Sequence, residues 1–232
     1  MNVFLPGLKR QINFLFKHYN ERPKKILVIG SASDFMANNF SAKYNVSVDL
    51  IVDDYESLLN SKLAVLQSTK LRLMNFDSTD FDSSTFDLIY AQASISLTNR
   101  NKILKEISRI MKPDGYFCIG EIVALQKDIP SFVKNIFDSS DLLPLFINEI
   151  EKYYTDRNFI PLAKADFSDT LREYYTESES QLKQTLQKLR GNEKSYYKKL
   201  INKINHESNA YLKLGGDKYI GFVALLLQKG KN

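Results

Sequence analysis

The chain has 232 residues, with 32 Lys and Arg against 27 Asp and Glu, giving a formal net charge of +5. Hydrophobic residues make up 44% and charged residues 25%. That composition excludes a disordered or collagen-like chain, and the length suffices for a sizeable buried core.

Read in chain order, Leu8, Ile12, Leu15, Phe16 and Tyr19 recur at helical spacing, and Arg22-Pro23 stops that helix. The apolar run 25–29, closed by Gly30, reads as a buried strand. Phe35, Met36, Phe40 and Tyr44 fit a helix after it. Val46, Val48, Leu50 and Val52 alternate as a second strand that ends in Asp53-Asp54. Tyr55, Leu58, Leu59, Leu63 and Leu66 mark the next helix, and 71–74 and 86–91 are the third and fourth strands. Ile103, Leu104, Ile107, Ile110 and Met111 form an amphipathic helix stopped by Lys112-Pro113-Asp114-Gly115. A fifth strand is expected at 116–123, a helix through Leu143, Phe146, Ile147, Ile150 and Tyr154, a sixth strand at 159–165 and a very apolar last one at 218–228.

Between the last two strands, residues 167–217 are rich in Lys, Glu, Gln and Tyr and read as two helices broken near Gly191-Asn192. We take 1–232 as one domain, with 1–22 as an N-terminal helix or lid and 167–217 as a helical insertion. Repeated strand–helix units predict a parallel sheet with helices on both faces. Ligands of such sheets bind outside the carboxyl ends of the strands, near the point where strand order reverses. That directs attention to Gly30, Asp53, Asn75 and Ala91.

A glycine closing the first strand allows a sharp turn and close approach of a ligand, and the helix after it offers free N–H groups. An acid closing the second strand can accept hydrogen bonds from a ribose diol. Taken alone, Gly30 could equally make a turn and Asp53 cap a helix.

The sole cysteine, Cys118, excludes an intramolecular disulfide framework and a cysteine-based zinc site. The two histidines, His18 and His206, lie far apart, so no metal site is expected, and a Ser-His-Asp hydrolase would have to use one of them. No apolar run reaches the ~18 residues of a membrane helix. Lys9, Arg10 and Lys17 interrupt the pattern of the first segment, unlike a signal peptide, so a cytoplasmic location is expected.

The run Phe86-Asp87-Leu88-Ile89-Tyr90, followed by the helix that ends in Met111-Lys112-Pro113-Asp114-Gly115, resembles the class I S-adenosylmethionine-dependent methyltransferases, most of all their type 11 small-molecule group. The resemblance covers about 24–165, and the terminal strand suits that family's antiparallel seventh strand. It implies a Rossmann-like α/β sandwich: a seven-stranded, mostly parallel sheet with an antiparallel last strand, plus the helical insertion. It also implies S-adenosylmethionine as cofactor. Gly30, Ser31, Ala32, Ser33 and Asp34 stand where the family has its glycine-rich loop, and only the first glycine is present. Asp53 matches the ribose-binding acid, followed by Asp54. Asn75, or Asp77 with a shorter loop, falls beside the adenine amino group, and Phe76 could stack on the adenine. Ala91, Gln92 and Ala93 follow the fourth strand, where the family lines the methyl-donor pocket.

Methyl transfer is an in-line displacement that needs orientation and exclusion of water, with a general base only where the acceptor loses a proton. Glu121, at the end of the fifth strand, is the carboxylate candidate. Tyr174 and Tyr175 sit where an acceptor-site helix could begin. The expected function is methyl transfer to a small-molecule acceptor. The alternatives are a non-catalytic binding or partner protein that has lost the cofactor, and an RNA methyltransferase. The last rests on Lys183, Lys188, Arg190, Lys194, Lys198, Lys199 and Lys203 interleaved with Tyr196 and Tyr197. Glu173, Glu177, Glu179, Glu193 and Glu207 dilute that charge, so nucleic acid is not the expected partner.

Overall fold

The computed structural model describes residues 5–188 and 198–231. The strands are β1 (Ile26–Ile29), β2 (Val48–Val52), β3 (Thr69–Leu73), β4 (Phe86–Gln92), β5 (Met111–Ala124), β6 (Leu145–Phe146), β7 (Phe159–Asp166) and β8 (Ile220–Lys229). The helices are α1 (Arg10–His18), α2 (Asp34–Tyr44), α3 (Tyr55–Lys62), α4 (Arg100–Ile110), α5 (Ser131–Ser139), α6 (Ile150–Thr155), α7 (Thr170–Lys188) and α8 (Lys198–Lys213). They build one sheet in the order β3-β2-β1-β4-β5-β8-β7, with β6 paired to β5. Every pairing from β3 through β5 is parallel, and β8 runs antiparallel to both β5 and β7.

The apolar runs explain the order. All four residues of β1 and all five of β2 are buried, which suits strands covered on both faces. One face of the sheet, with Val28, Leu50, Leu88, Tyr90, Cys118 and Phe222, packs against α1, α2, α5, α7 and α8. The other face, with Leu27, Ile29, Ile89, Phe117, Ile119 and Val223, packs against α4 and α6. Each fully buried aliphatic side chain stabilises by roughly 1.5–3 kcal/mol, so this double covering dominates the energetics.

Two polar features of the motif region fasten the sheet. The Asp87 carboxylate accepts from the Lys24 and Lys25 N–H groups (2.9 and 2.8 Å) and from Lys112 Nζ (2.7 Å). It thereby joins the entry of β1 to the Lys112-Pro113-Asp114-Gly115 turn, in which Asp114 is left-handed (φ 59°). Glu106 of α4 accepts from the Thr79 N–H (2.9 Å) and from Arg109 Nε and Nη2 (2.8 and 2.7 Å), bracing the loop after β3 against α4.

The structure departs from the sequence reading in several places. The helix expected through Leu143 and Tyr154 is split: Leu145–Phe146 form β6 beside β5, and only Ile150–Thr155 are helical. Among the described residues the sheet therefore has eight strands, the extra one being this two-residue pair. Helix α5 carries Val133, Ile136 and Phe137 into the core, although its apolar pattern is too short to stand out. Strand β5 begins at Met111, which pairs with Phe86 of β4; the turn residues 112–115 bulge out of the ladder, and pairing resumes at Tyr116 with Leu88. Helices α7 and α8 lie in the region expected to be helical, and their Leu171, Tyr175, Ala210 and Tyr211 join the core beneath them. The proposed break at Gly191-Asn192 lies outside the described residues.

The Arg109 hydrogen bonds, with Thr79 adding to them against the opposing effect of burial, hold the Glu106 carboxyl down at about 2 against an ordinary 4.5. A depressed folded value means that the brace contributes fully above about pH 4.5 and is lost as pH falls toward 2. Urea denaturation at about pH 7, 4 and 3 should show Glu106→Gln less stable than the parent at neutral pH, with the difference shrinking in acid.

Candidate functional site

The carboxyl ends of β3, β2, β1, β4 and β5 lie along one edge, and strand order reverses between β1 and β4. Gly30 makes the turn at that reversal. Its φ is 120°, its N–H donates to the Ile51 carbonyl (3.0 Å), and a Cβ there would lie 2.6 Å from Ser94 Cβ. Residue 30 thus has neither the backbone freedom nor the space for a side chain. Ser94 Oγ donates to the Ile29 carbonyl (2.9 Å), so the segment after β4 touches the end of β1. Ala32 keeps a left-handed backbone, φ 57°, at a position where glycine would be the unstrained choice. Ser33 is fully buried, and its hydroxyl donates to the Ser31 carbonyl (3.4 Å). Asp34 lies in the first turn of α2, where a negative charge suits the positive end of the helix.

Asp53 and Asp54 divide two tasks at the end of β2. The Asp54 carboxylate caps α3, accepting from the Ser57 N–H (2.8 Å). Burial pushes its pKa up, but the bonds from Ser57, Glu56 and Ser31 outweigh that and hold it below the usual range. Asp53 is exposed, and among the described residues its carboxylate meets only its own backbone N–H. Partial desolvation, assisted by the Asp54 charge, raises its pKa. Past β3, Asn75 is exposed and its carbonyl accepts from the Ser78 N–H (3.3 Å). The Phe76 ring is buried in the apolar cluster beneath α4. Asp77 accepts from Asn99 Nδ2 (3.1 Å) at the start of α4.

At the end of β4, Ala91 and Gln92 are buried beneath the N-terminal segment. Gln92 Nε2 donates to the carbonyls of Pro6 (2.7 Å) and Leu8 (2.9 Å), while its Oε1 accepts from the Tyr90 hydroxyl (2.6 Å). In return, Gln11 Nε2 donates to the Ala91 carbonyl (2.9 Å). Gln11 is fully buried and fits only because residue 120 is glycine, where a Cβ would lie 1.9 Å from Gln11 Oε1. The Gly7 N–H donates to Thr170 Oγ1 (3.1 Å), and Arg10 pairs with Asp169 (2.5 Å). Residues 5–18 therefore form a strap joined to the end of β4 and to the start of α7.

The three residues singled out for catalysis do not converge. Glu121 is fully buried on the α4 and α6 side of the sheet, where it pairs with Arg100 (2.8 Å), accepts from Ser96 Oγ (3.1 Å) and accepts from the Tyr154 hydroxyl. Both carboxylate oxygens are committed, which leaves it unsuited to take a proton from a ligand. Tyr175 lies on the opposite face, buried and stacked on Tyr211 with ring centroids 4.6 Å apart. Burial, then the neighbouring Tyr174 and Glu207 charges, raise its phenol well above 10. Burial and Glu207 push Tyr174 up to about 12. Both phenols stay protonated at neutral pH and pack between α7 and α8.

Sequence reading passed over Gln11, Ser94, Ser96 and Arg100. For Gln11 a signal was present: it stands between Leu8 and Leu15 on the inward stripe of the first helix, where a polar side chain needs a buried partner. The two serines and Arg100 carry no pattern of their own.

Residues 27–119 match the family model described as "Methyltransferase domain". No relative among curated proteins was found. Among solved structures, a Galdieria sulphuraria protein assigned as a sarcosine dimethylglycine methyltransferase superposes with a TM-score of 0.74 at 15% identity, over 96% of this chain and 84% of that one. The [4+2]-cyclase SpnF gives 0.75 at 13% identity over 97% and 81%. Geranyl diphosphate C-methyltransferase from Streptomyces coelicolor A3(2), crystallised with Mg2+, geranyl diphosphate and S-adenosyl-L-homocysteine, gives 0.67 at 15% over 95% and 77%. These superpositions show that the chain shares the fold of those proteins, and residues 27–119 within it match the methyltransferase-domain model. The matched segment runs from β1 into β5, the half of the sheet that carries Gly30, Asp53 and Ala91.

Gln92→Leu keeps the side-chain size but removes both bonds to the strap. Trypsin should then cut at Lys9, Arg10 or Lys17 several times faster, with overall stability lower by about 1–3 kcal/mol. An unchanged cleavage rate would show that the strap is held by other contacts.

Proposed function

We propose that this protein transfers the methyl group of S-adenosylmethionine to a small-molecule acceptor. The observation that carries the reading is the uncommitted Asp53 carboxylate at the end of β2, beside the Gly30 turn at the reversal of strand order. Asp54 does the capping, so Asp53 is left with acceptor capacity that a ribose diol would use. The missing side chain at Gly30 lets the end of β1 lie against Ser94, which keeps the turn tight at the strand edge where a ligand would approach backbone. These residues fit the cofactor that methyltransferases of this class use.

In this reading Asp53 holds the ribose, and Gly30, Ser31, Ala32, Ser33 and Asp34 hold the methionine portion. Asn75 and Asp77 flank the adenine, while Ala91 and Gln92, buried beneath the strap, back the methyl-donor side without exposing a free polar group to it. The cofactor, when bound, supplies an electrophilic methyl group on a sulfonium. The chain itself contributes orientation and dryness. The strap and the α7–α8 pair close over the acceptor side and keep water from it. With Glu121, Tyr174 and Tyr175 all committed elsewhere, the site favours acceptors that attack without prior loss of a proton to the protein.

Lys183 and Lys203, two of the basic residues behind the RNA alternative, are paired with Glu179 (3.0 Å) and Glu207 (4.0 Å). Among the described residues, no helix is long and apolar enough to cross a membrane.

One observation favours a second reading, a binding or partner protein without catalysis. Gln11, Gln92 and the strap fill the space over the end of β4 and bond to one another there, with Gln11 Oε1 left without a partner among the described residues. The same architecture in a protein named as a cyclase also shows that this fold does not dictate one chemistry.

Calorimetric titration with S-adenosylhomocysteine separates the two. The methyltransferase reading expects saturable binding that weakens at least ~10-fold in Asp53→Ala, the worth of a hydrogen bond to a charged group. Absence of binding by the folded parent would leave the second reading.

A further inference from the structure

The ion pair between Glu121 and Arg100 lies between β5 and α4, with side chains 0% and 3% exposed. Burying two charges gains little net stability, because desolvation offsets most of the attraction, and well-packed apolar replacements are often as stable or more so. Its bonds tie the segment between β4 and α4 to Leu143 and to Tyr154 of α6. Glu121 Oε2 accepts from Ser96 Oγ, and the same Ser96 oxygen accepts from the Ile122 N–H (3.1 Å). The Ser96 carbonyl accepts from the Leu143 N–H (2.9 Å), and Arg100 Nη2 donates to the Leu143 carbonyl (2.6 Å). Leu97 and Leu142 form an isolated bridge. At its other end the segment is held by the Ala93 N–H on the Gly120 carbonyl (2.9 Å) and by Ser94 on Ile29.

We infer that Glu121 and Arg100 are positioning residues. Their buried ion pair fixes the segment 93–99, and so holds Ser94 against the Gly30 turn, instead of adding to overall stability or acting on a proton. Tyr154 serves the same end by filling the second oxygen of Glu121, and Arg100 lies 5.5 Å from the centroid of the Tyr153 ring, which keeps its charge in place. The arrangement sets the wall of the cleft from beneath, without touching what binds there. The ordering itself is independent of the methyltransferase reading. Only the statement that the ordered segment serves a cofactor rests on that reading.

The test replaces the pair by apolar side chains of similar size, Arg100→Met with Glu121→Leu, in the full chain without ligand. The urea midpoint should be retained. Amide hydrogen exchange of residues 93–99 should accelerate by about tenfold or more, while the central strand β1 keeps its protection. Should the double variant fail to fold, Ser96→Ala is the second probe: it breaks the link between Glu121 and the segment but leaves the ion pair whole, and the same amides should again exchange faster. Unchanged protection of 93–99 in a folded variant overturns the inference, as does a loss of protection spread evenly over the sheet. Titration of the double variant with S-adenosylhomocysteine should show affinity about tenfold weaker than the parent's. If the parent itself fails to bind, the methyltransferase reading falls, while the exchange measurement still decides the positioning role.

Discussion

The edge formed by the carboxyl ends of the strands depends on how closely two segments approach each other at the reversal of strand order. Strand β1 can end beside the segment after β4 only because residue 30 has no side chain, with Ser94 Cβ standing where one would go. That approach lets the Ser94 hydroxyl take the last carbonyl of β1. The chain must then leave β1 through the left-handed turn at Ala32 before α2 begins. An alanine there bears strain of order 1–2 kcal/mol that a glycine would not. The surrounding packing therefore imposes the loop's path, and a glycine at residue 32 would follow it with less strain.

Around this point the protein buries polar groups against one another, most of them paired, with Gln11 Oε1 and Arg100 Nε as the exceptions. Gln92 satisfies two carbonyls of the strap and accepts the Tyr90 hydroxyl. Glu121 is met by a guanidinium and two hydroxyls. An unmatched buried group would cost more than a made bond returns. These sets consequently specify which loops lie together more than they add to stability. They also separate two kinds of carboxylate. Glu121 and Asp54 are consumed by the scaffold, while Asp53, one residue from Asp54, remains open to a ligand.

Much of this was legible in the sequence wherever a local pattern has a single physical solution. The central strands were readable as short apolar runs, because strands covered on both faces have no polar side. Gly30 and Asp53 followed from their places at strand ends. The Phe86-Asp87 and Lys112-Pro113-Asp114-Gly115 motifs pointed to the methyltransferase-like fold, and the structure supplies the reason they occur together: Asp87 binds Lys112 and the entry to β1. The stretch around Leu143 misled because Leu143, Phe146, Ile147, Ile150 and Tyr154 have helical spacing, whereas Leu145 and Phe146 pair with the end of β5. Pairing with a strand some twenty residues earlier leaves no local trace in the sequence.

The sequence by itself thus determined the alternation of strands and helices, the parallel sheet and the strand ends at which a ligand can lie, since each follows from burial patterns within a few residues. Only the tertiary structure decided which acids are free and which are spent. It also decided that the strap covers the end of β4 and that the catalytic candidates face opposite sides of the sheet. Those outcomes depend on contacts between segments far apart in the chain, such as Gln11 with Ala91 and Arg100 with Glu121. A side chain's chemistry is set by the partner that folding brings to it, and residue type and spacing do not record that partner.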